Sequence, residues 1–362
     1  MAHLSDMFDE DMFFEMQKAG FIKVQRHPEF PNDLAIANYT HKAQQNYHWN
    51  AVTTQCRGLI FNPNTWEVVA RPFRKFFNYG EAQADKITGQ EQVTAYEKFD
   101  GSLGITYPLP GYDGEVYAIA TRGSFTSEQA VWATNYLAPI RANEPWRFPI
   151  IPGYTDLFEI IYPENRIVCE YGGMEGLVYL GTINNENGDF QFEDDMFDVR
   201  ADPVYRGTFE GALQISGRQG KEGVVVVTSD NRRVKLKEEE YVRLHRIVSH
   251  LTERYVWEAM QGPFMSVARG LAADIPEEHA EWLMNVAEKL FSEYMTLAIM
   301  VNELNQQTSK FGTRREKAIY ATQESGYPKA VQSAYFAGLD GKSYVDVLWK
   351  AVRPKEEEGE EE

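Results

Sequence analysis

Glu97-Lys98-Phe99-Asp100-Gly101-Ser102 follows directly on residues 92–96, a stretch with the alternation of a β-strand. A lysine beside an acid and a flexible Gly-Ser turn, at a strand end, can present an amine to a nucleotide phosphorus as a nucleophile. Taken alone, Lys-x-Asp-Gly also makes an ordinary hairpin turn in which Asp and Gly supply the backbone geometry. What lifts the run above a turn is the order of the charged residues that follow it.

Four strand-like segments carry them. Ala120-Thr121-Arg122-Gly123-Ser124 places an arginine where its forked donors can clamp a phosphate or ribose. Leu157-Phe158-Glu159-Ile160-Ile161-Tyr162 sets a carboxylate among apolar residues, and an inward-pointing glutamate there needs a partner because unpaired burial is costly. Lys221-Glu222-Gly223 leads into the β-prone run 224–227. Val234-Lys235-Leu236-Lys237 puts both lysines on one strand face, which favours an anion between them. Each segment alone fits a solvated face or an exposed arginine. Together they supply a nucleophile, donors for a triphosphate and carboxylates for a divalent metal. An amine nucleophile must also lose its proton, which neighbouring cations favour.

The chain has 362 residues, enough for two domains, and its 43% hydrophobic content fits a folded, soluble protein. No apolar run approaches the roughly 20 residues of a membrane helix, and residues 1–16 are broken by acids, unlike a secretory signal. Cys56 and Cys169, far apart, exclude a cysteine-based zinc framework and fit structural thiols in a reducing cytoplasm. The net charge of −18 argues against non-specific coating of nucleic acid. Local basic clusters, such as Arg71 with Arg74 and Lys75, can still form a groove for a polyanion.

Residues 34–237 read as short strands punctuated by turns such as Tyr112-Asp113-Gly114 and Asn187-Gly188, with an inserted helix at 127–142 headed by Ser127. From 241 the apolar spacing becomes helical, over 241–259, 279–304, 317–324 and 344–351. Breaks are expected at Gln261-Gly262-Pro263, Asp274-Ile275-Pro276 and Gly326-Tyr327-Pro328. The expected division is a catalytic domain at 1–240, a helical domain at 241–353 and a disordered acidic tail at 354–362, where six of the last seven residues are glutamate. The fold class is α+β, twisted antiparallel sheets with flanking helices followed by an all-α domain.

In this order the segments resemble the motifs of the covalent nucleotidyltransferases, which include ATP-dependent ligases and mRNA capping enzymes. Within that superfamily the chain resembles the bacteriophage T4 RNA ligase 1-like family of ATP-dependent RNA ligases. Cys56-Arg57-Gly58-Leu59-Ile60-Phe61, Arg71-Pro72 with Lys75-Phe76-Phe77-Asn78, Asn165-Arg166-Ile167-Val168 and Tyr241-Val242-x-Leu244-His245 carry the closer likeness. It covers about 56–245. The helical region resembles the family more weakly, through Phe311-Gly312-x-x-Arg315-x-Lys317.

The resemblance implies an ATP-grasp-like ligase domain. Lys98 would attack the α-phosphate of ATP to form lysyl-AMP, and AMP would pass to an RNA 5'-phosphate and be displaced by a 3'-hydroxyl. Arg57, Lys75, Lys235 and Lys237 would bind the triphosphate; Phe77, Gly101 and Arg122 would complete the nucleotide site. Glu159, Glu222 and Asp100 would hold Mg2+ or Mn2+ or its waters. Arg122 stands where the closer relative has lysine, and a forked donor is not equivalent to a point charge. The implied partners are RNA ends, nicked tRNA among them, with no membrane partner; the implied protein is a monomer of the cytoplasm, that of a host cell if the origin is a phage. Two other readings stay open, a capping-type guanylyltransferase that uses GTP and a non-catalytic RNA-binding protein on the same fold.

Overall fold

The computed structural model describes every residue except 1, 113–115, 145–147, 149–150, 166–167, 192–196, 198, 216, 250, 274, 276 and 356–362. The glutamates of the expected acidic tail therefore lie outside the described residues. So do parts of the turn at 112–114, of the 165–168 motif and of the break at 274–276. The chain divides into two compact units, Met1–Val242 and Arg243–Glu362.

The first unit is built on three sheets. Strands β1 (Ile22–Arg26), β2 (Ala35–Tyr39), β3 (Arg57–Phe61) and β4 (Val68–Ala70) form an antiparallel sheet in that order. The other strands are β5 (Phe77–Asn78), β6 (Gln92–Lys98), β7 (Ser102–Pro108), β8 (Tyr117–Ala120), β9 (Tyr154–Ile161), β10 (Gly176–Asn184), β11 (Phe190–Gln191), β12 (Pro203–Thr208), β13 (Gly223–Thr228) and β14 (Arg233–Lys237). The second sheet runs β11-β10-β9-β7-β8 and the third β12-β6-β13-β14-β5. Within the sheets the pairings are antiparallel except for β14 with β5.

The chain passes from the third sheet to the second through residues 99–101, between β6 and β7, so the Lys-x-Asp-Gly run bridges two sheets and is not the turn of a hairpin between paired neighbours. Ile36 and Ile60 of the first sheet pack with Ile105, Tyr107 and Leu157 of the second. Helix Glu128–Asn143 forms where expected, with the Ser127 hydroxyl accepting from the Ala130 amide as its cap. It buries Ala133 and Leu137 against Ile119, Phe158 and Leu177.

The second unit is helical among its described residues. Its core gathers Val256, Met260, Leu283, Leu290, Leu304, Tyr335 and Leu348 around the helix Glu277–Thr308. The continuous helix expected over 241–259 is instead two, Glu239–Ser249 and Glu253–Met260. Thr252 caps the second by accepting from the Tyr255 amide at 3.0 Å, and a capping threonine has extended backbone that interrupts a helix. Gln261 in the left-handed region and Gly262 end that helix at the expected break.

Candidate functional site

The register of the third sheet assembles the centre of the site. Gly223 of β13 pairs with Lys98 of β6 on one side and Lys237 of β14 on the other. The lysines thus flank a position with no side chain. Glycine is required there: its φ is +143°, and a Cβ would lie 2.1 Å from the Leu236 carbonyl oxygen. The acid comes from the residue before it. One Glu222 carboxylate oxygen lies 2.6 Å from Lys98 Nζ and the other 2.9 Å from Lys237 Nζ. Glu222 is only 3% exposed, and burial of such an acid is tolerated because two ammonium groups share it.

Glu159 comes from β9 of the second sheet. Its Oε1 accepts from the Gly101 amide at 3.0 Å. Burial pushes its carboxyl up to about 7; Lys98, the Gly101 amide and Arg57 oppose that rise while the Glu222 charge adds to it. Gly101 has to be small, since a Cβ would approach the Ile160 carbonyl oxygen to 2.5 Å.

The remaining cations gather on aromatic faces. Lys75 Nζ is 5.2 Å from the centre of the Tyr39 ring, 5.0 Å from Trp49 and 5.4 Å from Phe77. Arg57 and Lys235 lie 5.8 and 4.7 Å from the Phe76 ring. Arg122, two residues past β8, donates to the Tyr39 hydroxyl at 3.0 Å. Burial drives the Lys235 ammonium well below its ordinary value, helped by the charges of Arg57, Lys98, Lys75 and Lys237. Burial likewise lowers Arg57, whose Nη1 is buried with no partner among the described residues. For Tyr39, burial alone would raise the phenol, but Arg122, Arg57 and Lys75 outweigh it and pull it down. A buried arginine nitrogen without a partner and a lysine driven towards neutrality mark a site short of negative charge, which a polyphosphate would supply.

The structure therefore brings Arg57, Lys75, Phe77, Lys98, Gly101, Arg122, Glu159, Glu222, Lys235 and Lys237 into one network of contacts and charges. Asp100 is placed differently. It is 2% exposed, and its carboxylate accepts from the amides of Val168 and Cys169 and from the Tyr241 hydroxyl. Among the described residues no group of three or more His, Cys, Asp or Glu gathers as a metal site; the two acids that approach Lys98 are Glu159 and Glu222. Cys56 and Cys169 are buried free thiols. Sequence reasoning missed Tyr39 and Trp49, which carry no charge pattern. Tyr39 was detectable only as the end of a strand, and its relation to Arg57 and Arg122 needs the sheet pairing.

Residues 55–202 match the model of a protein family described as RNA ligase. A protein of Autographa californica nuclear polyhedrosis virus, provisionally named a bifunctional polynucleotide kinase/RNA ligase, is 30% identical over 252 residues, covering 62% of this chain and 35% of the viral protein. A provisionally named RNA ligase of Thermovibrio ammonificans is 25% identical over 328 residues, covering 83% of each chain. Among solved structures, an archaeal ATP-dependent RNA ligase superposes with a TM-score of 0.43 at 15% identity, covering 79% of this chain and 78% of the archaeal one. The chain spans about a third of the length of the viral relative. The segment that resembles the RNA ligase family model, residues 55–202, is the one that holds Arg57, Lys75, Lys98, Arg122 and Glu159.

Proposed function

We propose that the chain is an ATP-dependent RNA ligase that joins a 5'-phosphate to a 3'-hydroxyl through lysyl-AMP and adenylylated RNA. The observation that carries this reading is the position of Lys98, 2.6 Å from Glu222 and beside the buried cations Lys235 and Arg57.

Lys98 Nζ bonds to the α-phosphorus of ATP while the bond from that phosphorus to the bridging oxygen breaks, and pyrophosphate leaves with the electron pair. The proton that Nζ must shed has an acceptor in Glu222. Lys235 and Lys237 face the negative charge that builds on the phosphate, and Arg57 and Lys75 hold the leaving pyrophosphate. Arg122 binds through Tyr39 to the same cluster. Phe77 fixes Lys75 by its ring face. Glu159 and Glu222 are the acids that would hold Mg2+ or Mn2+, which would supply positive charge at the phosphates. In the second and third steps the Lys98–phosphorus bond breaks as an RNA 5'-phosphate takes the AMP, and a 3'-hydroxyl then displaces AMP to form the phosphodiester. Repair of cleaved tRNA is one use of such an activity, with the helical unit as the region that selects RNA.

The test follows α-labelled ATP and Mg2+ onto the purified chain, then chases the adduct with RNA bearing a 5'-phosphate and a 3'-hydroxyl. Label that passes to RNA with a sealed product is the expected result. A stable adduct from GTP in place of ATP would move the reading to a guanylyltransferase, and no adduct from either would move it to a non-catalytic protein.

A further inference from the structure

Residues 99–101, which follow the nucleophile, are held by several side-chain and backbone contacts. The Phe99 ring lies 5.6 Å from that of Tyr171. The Asp100 amide donates to the Tyr171 hydroxyl at 2.6 Å, and the Gly101 amide donates to Glu159. Asp100 Oδ2 accepts from the Val168 and Cys169 amides at 2.7 and 2.9 Å, and Oδ1 accepts from the Tyr241 hydroxyl at 2.7 Å. A carboxylate with three donors on it is fixed in orientation by them. Nothing in the strand register demands this. Lys98 is the last residue of β6, and without the clamp the next three residues would leave the sheet unsupported.

We propose that Tyr241, acting through Asp100, is a positioning residue for the Lys98 nucleophile, with Tyr171 as the second clamp on the same loop. The proposal rests on the functional reading above, and it gives Asp100 a role towards the protein in place of the metal role that the family resemblance implies. Tyr241 touches no reacting atom in this scheme. Burial raises both phenols, so both stay protonated; Tyr241 remains a donor to Asp100, and Tyr171 remains neutral beside it. Its ring also backs the second lysine of the site, with Lys237 Nζ 5.0 Å from the centroid. One aromatic residue thereby holds the loop of the nucleophile by its hydroxyl and a phosphate-facing lysine by its ring. Tyr241 sits in the first turn of helix Glu239–Ser249, which continues past Val242, the last residue of the first unit.

Tyr241→Phe separates the two contacts, because it keeps the ring and deletes the hydroxyl. In single-turnover labelling with ATP, the rate constant at saturating ATP should fall by about 10- to 100-fold, while the ATP concentration for half-maximal rate shifts by less than about threefold. The fraction of protein that finally becomes labelled should stay at the wild-type level. A merely structural role would do the reverse, lowering the labelled fraction and leaving the rate constant of the remainder unchanged, and that result overturns the proposal. So does a wild-type rate constant at saturating ATP. Amide hydrogen exchange over residues 99–101 gives a readout that needs no catalysis. It should speed up in Tyr241→Phe while the β6 and β13 amides keep their protection; unchanged exchange at 99–101 overturns the clamp. If the wild-type chain forms no adduct, the functional reading fails, and the exchange result alone decides the clamp.

Discussion

Lys98 Nζ stands 2.6 Å from the carboxylate of Glu222, an acid that reaches it from the residue before Gly223, the strand position directly paired with Lys98. One residue supplies the anion, and the next lets the backbone of β14 approach closely. The pair serves both fold and chemistry, because the acid that relieves Lys98 and Lys237 of mutual repulsion is also the nearest proton acceptor.

Replacing either partner separates those roles. Lys98→Ala should abolish the AMP adduct and leave the fold intact, as read by labelling and by thermal melting; an adduct on this variant would falsify the assignment of the nucleophile. Glu222→Gln should lower the labelling rate by about 10²- to 10³-fold. It should also cost roughly 1–3 kcal/mol of stability in urea, because two lysines lose their shared anion.

Glu159 makes stability depend on pH. Its carboxyl sits at about 7, above the ordinary value of 4.5, so between those values the folded chain holds a proton that the unfolded chain has released. Its contribution is therefore full at low pH and falls as pH rises through that window. Glu159→Gln cannot titrate, and relative to wild type it should gain roughly 2–3 kcal/mol between about pH 5 and about pH 8 without nucleotide or metal. Urea denaturation at both pH values checks this, and a pH-independent difference would sink it.

Lys235 should report the arrival of the triphosphate. Burial and four neighbouring cations hold its ammonium well below the ordinary value, so the empty site disfavours its charged form. A polyphosphate favours the charged form, so ATP binding should take up a proton and tighten as pH falls. Calorimetry in two buffers of different ionisation enthalpy measures the uptake directly. Lys235→Gln should lose it, and an undiminished uptake in that variant would place the proton elsewhere.

Gly101→Ala tests the crossing between the sheets. The added Cβ would meet the Ile160 carbonyl at 2.5 Å and the Glu159 side chain at 3.1 Å, and backbone cannot yield as a flexible side chain does. The expected result is a loss of about 1–3 kcal/mol in stability and a slower labelling rate. Gly153→Ala, where a Cβ meets nothing within 4 Å, is the contrast for crowding; its backbone strain at φ +84° should cost stability without slowing the labelling.

Much of the site was legible because charge on a strand is a strong local signal. Period-two alternation placed Lys235 and Lys237 on one face, and both do reach the site. The β-prone run at 224–227 and the helix capped by Ser127 also lie where local pattern put them. Tyr39 and Trp49 were not legible, since an aromatic residue reads as core whatever sits on its face. The break at Thr252 was missed because the apolar spacing continues across it while a single capping threonine interrupts the helix.

By itself the sequence determined which residues carry charge, in what order, and on which face of each strand, because side-chain chemistry and the two-residue repeat are local properties. Only the tertiary structure decided their partners. The pairing of Lys98 with Gly223 and of Gly223 with Lys237, the approach of Glu159 to Gly101, and the turning of Asp100 towards Tyr241 depend on strand register and sheet order. Register is set by burial summed over whole sheets, so no short stretch of sequence contains it.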